Sequence, residues 1–425
     1  MKAYNILWLF SDEHRGQAMH CAGDTNVKTT HLDALAAQGT RFSHCYSVSP
    51  LCAPFRASVY TGQYIHEHGV GCLHRPIMSG VPVVPQVLQQ GGYHTIHIGK
   101  WHLSGGAAPS HFVAPCFRPG WDEWFGWENS NQPFATTYST GTAPHMKQLE
   151  GYQTDACTDL ANDFLDRASE SDKPWFMVLS VEPPHDPHVA PPEYMAQYAN
   201  KEIDFRPNVP ESWKTEENIA KARGYYAQIK NLDDNIGRLL TKLKETGQDE
   251  NTIIFYFSDH GDYMGSQGRS AKFFAQEESS NIPLIIRHPD AAQKGIVNDG
   301  LITSLDIPTT TLAMARLSPA PQMHGQDFSP LLCDAAARLQ EDVLIELDSF
   351  FDDHDPFYRY RALRNEKYLY VNAPLSERCM LYNMETDPYQ MDNLYGNPAH
   401  KTTQDALHKR LAARLAELDD DYFAQ

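Results

Sequence analysis

A set of short apolar runs constrains this chain most: Asn5–Phe10, Thr95–Ile98, Trp175–Leu179, Thr252–Phe257 and Pro283–Ile286. Runs this brief, without polar alternation, read as strands of a parallel sheet buried on both faces. Helical patterns lie between them. His31–Gln38 is closed by Gly39, and Val84–Gln90 by Gly91-Gly92. Tyr225, Ile229, Leu232, Ile236, Leu239, Leu240 and Leu243 recur at spacings of three and four before Gly247. This alternation predicts an α/β fold, a large mostly parallel sheet flanked by helices. After Leu332 the pattern changes. Val343–Leu347, Tyr358–Leu363, Tyr368–Val371 and Met380–Asn383 read as short strands, followed by a helix over Thr403–Leu418. The expected division is a catalytic α/β domain over 1–335 and a C-terminal antiparallel sheet with a packed helix over 336–425.

The residues that follow the strands matter as much as the strands. Asp12 and Glu13 follow the first, Lys100 and His102 the second, His185 the third, and Asp259 and His260 the fourth. In open α/β sheets, ligands bind beyond the carboxyl ends of the strands, so these groups converge on one edge. Asp12, Asp259 and His260, with Glu13 beside them, offer hard oxygens and an imidazole, a set suited to Ca²⁺, Mg²⁺ or Mn²⁺. A further stretch, Ser49 to Gly62, places Cys52 where an extended segment ends, with Pro54 predicted as the first residue of a helix. Cys52 then lies beside free N–H groups at the positive end of a helix. Among eight cysteines, Cys-x-Pro-x-Arg would arise by chance only about 0.03 times.

Cys52-x-Pro54-x-Arg56, followed by Ala57-Ser58 and Thr61-Gly62, resembles the signature of the type I sulfatases of the alkaline phosphatase superfamily. Ser304 to Thr309, Gly325-Gln326, and Asp387-Pro388 with Asn393-Leu394 extend the resemblance over nearly the whole chain. It implies the alkaline phosphatase-like sulfatase fold and hydrolysis of a carbohydrate or aryl sulfate ester. It also implies that a formylglycine-generating enzyme oxidises Cys52 to formylglycine, whose hydrate is the nucleophile. Asp12, Asp259, His260 and modified Cys52 would hold one divalent cation, calcium before magnesium or manganese. Glu13 stands where many sulfatases carry a second aspartate ligand, and it reaches one methylene further.

The resemblance gives Arg56, Lys100 and Lys272 the task of offsetting charge on the sulfuryl oxygens. His102 pairs with the hydrate as base, and His185 and Lys272 lie on the leaving-group side, His185 as general acid. Arg269 competes for the place of Lys272. After His68-Gly69-Val70 many relatives have an asparagine that touches the transferred group; here the chain reads Gly71-Cys72-Leu73, so that contact is either missing or supplied from elsewhere, with His74 and Arg75 the candidates. Phosphonate monoester and phosphodiester hydrolases share the Cys-x-Pro-x-Arg signature, and Asp12-Glu13-His14-Arg15 resembles that branch, so their reaction is the alternative.

Composition excludes other classes. A net charge of −19 argues against nucleic acid as a partner. It also requires local Arg and Lys to attract an anionic substrate against the global field. No apolar run approaches the roughly 18 residues of a membrane span. Asn5–Phe10 is too short for a secretion signal and runs into Ser11-Asp12-Glu13, which predicts a cytoplasmic protein. The eight cysteines are scattered, with no Cys-x-x-Cys, against a zinc cluster. Ser104–Tyr152, rich in Pro, Gly, Ser and aromatics, is expected to be a long ordered loop with small helices at the pocket mouth. With residues 262–278 it would set specificity for a small-molecule ester. Oligomeric state has no signature in the sequence.

Overall fold

Strand β1 (Asn5–Asp12) runs through the middle of a ten-stranded sheet, and all eight of its residues are buried. The computed structural model describes residues 3–107, 112–350, 356–376 and 378–424. The other strands of this sheet are β2 (Thr40–Tyr46), β3 (His94–Lys100), β4 (Glu123–Trp127), β5 (Thr137–Ser139) and β6 (Met146–Gln148). They continue with β7 (Trp175–Pro184), β8 (Thr252–Ser258), β9 (Asn281–Arg287) and β10 (Ile296–Thr303). Their spatial order is β10-β2-β9-β8-β1-β7-β3-β4-β5-β6.

Burial on both faces explains the continuous apolar runs. Ile6, Trp8 and Phe10 of β1 join Ile253, Phe255 and Phe257 of β8 beneath the helix Cys52–Thr61. Leu7 and Leu9 point the other way, with Ile254 and Tyr256, onto Leu232, Ile236, Leu239 and Leu243 of the helix Glu216–Glu245. Alternate side chains of one strand therefore enter two separate cores.

β1 is parallel to β7 and β8, and β3 is parallel to β7 and β4. One strand departs from expectation. β9, which contains Pro283–Ile286, runs antiparallel to both β8 and β2. Burial on both faces requires an apolar run whatever its direction, so composition does not encode the sense of a strand. Two antiparallel steps restore direction, so β2 runs with β1 and delivers the chain into the Cys52 helix at the functional edge. The segment expected as loop with small helices also contains β4, β5 and β6, besides the single turn Pro115–Phe117. Strands this short leave no readable period; residues 108–111 of that segment lie outside the described residues.

Close approach of β3 and β7 depends on one glycine. Gly99 has φ +116°, and a Cβ there would lie 1.8 Å from the carbonyl oxygen of Ser180. Only glycine fits both constraints.

A second, four-stranded antiparallel sheet follows: β11 (Asp342–Leu347), β12 (Tyr360–Asn365), β13 (Tyr368–Asn372) and β14 (Met380–Asn383). The helix Lys401–Glu417 packs on it through Leu407, Leu411 and Leu415. Both of its faces share core with the first unit, through Tyr46, Leu51 and Tyr263 on one side and Val48, Tyr64 and Leu305 on the other. Among the described residues, no helix is long and apolar enough to cross a membrane.

An ionic cluster ties the two units. Arg361 Nε lies 2.6 Å from Asp420 and 3.3 Å from Glu346. From the first unit, His66 places Nδ1 3.8 Å from Glu346 and 3.7 Å from Asp420, with Nε2 2.9 Å from the carbonyl oxygen of Leu418. Burial pulls the His66 imidazole down, but the nearby carboxylate of Glu346, then that of Asp420, raise it to about 9. A raised folded-state value means that this stabilisation is complete below the unfolded imidazole range, about 6.5, and is lost as pH rises through about 9. Thermal melts at pH 7 and pH 10 check this. Wild type should lose more Tm between them than His66→Gln, and equal losses would contradict the assignment.

Candidate active site

The Cys52 helix begins at Cys52 itself, two residues before Pro54, with Leu51 extended as its N-cap. Pro54 still falls in the first turn, where its missing N–H has no intrahelical partner to lose. Every residue of this helix is buried, so Cys52 faces inward with its Sγ 3.6 Å from Asp12 Oδ1 and 3.2 Å from His260 Nε2. Burial, then the charge of Asp12, push the thiol well above its ordinary range.

Parallel strands bring the acidic groups beside it. Ser11 of β1 pairs in register with Ser258 of β8, which places Asp12 and Asp259 side by side at the strand ends. Asp259 Oδ1 accepts the backbone N–H of Glu13 at 3.0 Å and of His260 at 2.9 Å. His260 Nδ1 lies 3.0 Å from the carbonyl oxygen of Gly261. A carbonyl only accepts, so Nδ1 carries the ring proton and Nε2 turns a lone pair inward. It lies 3.6 Å from an oxygen of Asp12 and 3.6 Å from an oxygen of Asp259. Asp12, Cys52, Asp259 and His260 thus form one buried group with the spacing of a metal site. Two carboxylate oxygens and an imidazole lone pair converge there, and a single S–H can satisfy only one acceptor. That donor set fits a hard divalent cation.

Cations balance the far side. Arg56 is fully buried. It donates to the carbonyl oxygen of Lys100 and to Ser180 Oγ, both at 2.9 Å, and to Asp12 at 3.2 Å. Its guanidinium stacks 4.5 Å from the Phe10 ring centre. Lys100 Nζ lies 2.8 Å from Asp12 Oδ2. Burial opposes the charge on Asp12, yet Lys100 and then Arg56 hold its carboxyl well below the usual range.

The remaining expected residues form a second group. Lys272 Nζ is 3.1 Å from Glu13 Oε2 and 2.8 Å from His185 Nε2, and His185 Nε2 is 3.1 Å from Glu13 Oε2. Burial, then Lys272, push His185 down to about 3, and burial raises Glu13 to about 8 against the pull of Lys272. Arg269 stays outside this group and stacks 4.4 Å over the Phe274 ring. Arg75, a candidate for the missing asparagine contact, is exposed and donates to the carbonyl oxygen of Gly69. His102 is buried beside Lys100 and held well below the usual imidazole range by burial and then Lys100. Its Nδ1 has no hydrogen-bond partner among the described residues. Glu13 (φ 67°) and His102 (φ 60°) both occupy the left-handed region, a strain concentrated at functional sites.

Residues 4–317 match the family model described as Sulfatase. The chain belongs to the sulfatase family. Residues 265–417 of this sulfatase also match the model described as N-sulphoglucosamine sulphohydrolase, C-terminal. An Ulvan-active sulfatase of Formosa agariphila is 32% identical over 98% of this chain and 82% of its own length. The solved structure of YidJ from Bacteroides fragilis superposes with a TM-score of 0.91 at 25% identity, covering 99% of this chain and 97% of that one. A phosphonate monoester hydrolase of Agrobacterium radiobacter shares the fold, with a TM-score of 0.82 at 21% identity over 99% of this chain and 97% of that one. The large mixed sheet and small antiparallel sheet are therefore the sulfatase architecture, and the enzyme is a sulfate-ester hydrolase.

Supporting residues of this sulfatase site escaped the sequence reading. Glu128 accepts the N–H groups of Leu103, Ser104 and Gly106, fixing the turn that carries His102. Glu182 accepts from Trp127 Nε1, Ser130 N, Asn131 N and Gln153 Nε2. Asn129, between these anchors, lies 3.5 Å from His102 Nε2 through its Nδ2. A signal existed for Glu182 and Ser180: both are polar residues inside a strand buried along its whole length.

Proposed function

We propose that this sulfatase releases inorganic sulfate from a carbohydrate or aryl sulfate ester through formylglycine at position 52, with one divalent cation, calcium in the first instance. The observation that carries the proposal is the inward convergence of Asp12 Oδ1, an Asp259 oxygen and the bare Nε2 of His260 on residue 52. Asp12, Asp259, His260 and residue 52 would hold the cation, which supplies Lewis-acid polarisation. A formylglycine hydrate carries two hydroxyls, one to attack sulfur and one from which sulfate can later be expelled. A single-hydroxyl nucleophile would be left as another inert sulfate ester.

The protein groups supply the rest. Arg56 fixes residue 52 and the carboxylates in one geometry, since its guanidinium spans β1, β3 and β7. Arg56, Lys100 and Lys272 place three positive charges among the carboxyl groups of Asp12, Glu13 and Asp259, so the site does not share the repulsion of the −19 chain. Sulfuryl oxygens then meet preorganised donors as their charge redistributes. His102, whose Nδ1 has no hydrogen-bond partner among the described residues, is the proton acceptor for sulfate release in this reading. His185 and Lys272 occupy the leaving-group side. The sulphohydrolase model over residues 265–417 is named for an N-sulphated sugar, which supports a sulphated carbohydrate as substrate without distinguishing an ester from a sulfamate.

Side-by-side kcat/KM on an aryl sulfate, a sugar sulfate and a phenyl phosphonate monoester tests this reading, using chain co-produced with a formylglycine-generating enzyme. Sulfate turnover should exceed phosphonate turnover; a large phosphonate preference would overturn the reading.

A further inference from the structure

Position 13 carries glutamate, and the extra methylene sends its carboxylate to a different neighbour from the one an aspartate would meet. The backbone of Glu13 is pinned on the cation side, where its N–H donates to Asp259 Oδ1 at 3.0 Å and its carbonyl accepts from Tyr225 OH at 3.0 Å. From that anchor the side chain reaches the opposite group: Oε2 lies 3.1 Å from Lys272 Nζ and 3.1 Å from His185 Nε2. We infer that Glu13 is a positioning residue for Lys272, orienting its ammonium toward the departing alcohol, and not primarily a ligand of the cation. The inference rests on the sulfate-ester reading above and names a part of the same site.

Donor counting supports it. His185 Nδ1 lies 2.8 Å from the carbonyl oxygen of Asp186, which only accepts, so Nδ1 carries the ring proton. The Nε2 lone pair then accepts from Lys272 at 2.8 Å. In this arrangement His185 has no proton to offer at Nε2, contrary to its expected place as general acid. An ammonium has three N–H donors. Glu13 and His185 take two, and their fixed directions aim the third. That last N–H is left to stabilise charge developing on the alcohol oxygen as the S–O bond breaks. Asp12 joins Glu13 and His185 in a second group that also has the spacing of a metal site, so proximity to the cation alone does not decide the role of Glu13. Oε1 of Glu13 has no hydrogen-bond partner among the described residues, so cation binding through Oε1 is the competing role that a test must separate.

Glu13→Gln and Glu13→Asp, made in the formylglycine-bearing enzyme, separate the two. An aspartate keeps a carboxylate near the cation but falls short of Lys272. Calcium affinity by titration calorimetry should stay within about threefold of wild type in both variants, whereas loss of a group that holds the metal costs roughly 10- to 100-fold. Across aryl sulfates of decreasing phenol acidity, kcat/KM of both variants should fall ever further behind wild type, from a few-fold to on the order of 10²-fold. A calcium affinity lost in Glu13→Gln but kept in Glu13→Asp would overturn the inference, as would an equal loss on every ester. Calcium affinity judges Glu13 even if wild type releases no sulfate, a result that would overturn the proposed function instead.

Discussion

Cys52→Ala is expected to remove sulfate release, with kcat down by at least about 10⁴-fold, while the urea midpoint moves little. Both halves follow from where the side chain sits. Residue 52 opens a helix whose backbone bonds do not involve Sγ, and alanine suits a helix. The hydrogen-bond partners of Sγ among the described residues are Asp12 and His260, both in the site. Removing one buried sulfur costs about 1 kcal/mol of packing, small against the stability of such a chain. No other side chain of the site can replace a hydrate with two hydroxyls. Intact-mass measurement of the unsubstituted protein is the companion test, since formylglycine is lighter than cysteine by about 18 Da before hydration. Appreciable turnover by the alanine variant, or by wild type carrying only thiol, would remove the nucleophile from the mechanism.

Asp259→Asn is the second large effect. The substitution preserves volume and removes charge where two separate duties meet. Oδ1 accepts two backbone N–H groups, from Glu13 and His260, so the amide oxygen must take that side. The amide NH₂ then faces Arg56, from which Oδ2 is now 3.5 Å away. A donor meets a donor, the Asp259 oxygen that faces the cation site loses its negative charge, and the positive charge of Arg56 loses a partner. Calcium affinity should fall on the order of 10²-fold, and kcat/KM with it. Because the lesion is one of occupancy, raising calcium should recover part of the rate, which Cys52→Ala cannot show. Calorimetry with rate measured against calcium concentration reads both, and unchanged affinity would take Asp259 out of the cation site.

The site was legible in the sequence to an unusual extent, for a geometric reason. β1, β3, β7 and β8 are parallel, so a polar residue just beyond each apolar run must emerge at the same edge. Asp12, Lys100, His185, Asp259 and His260 are legible in this way from strand ends alone. Lys272 was visible only through the family resemblance. It sits in an irregular segment where Met264, Gln267, Ala271 and Phe273 all have positive φ, and no periodic pattern marks such a chain path. Glu128 was invisible because its work is local: it holds backbone N–H groups of a turn whose sequence carries no motif.

By itself the sequence determined the class of fold, the cysteine motif and the set of groups gathered at one edge. Hydrophobic period and residue type are properties of the chain, and they survive without coordinates. Only the tertiary structure decided the direction of β9, the start of the helix at Cys52, and the partition of the polar groups. Asp12, Cys52, Asp259 and His260 form one cluster, while Glu13, His185 and Lys272 form another. That partition turns on contacts of about 3 Å between residues far apart in sequence, and on which ring nitrogen a carbonyl claims. Such distances depend on strand register and backbone torsion, which no local pattern of residues specifies.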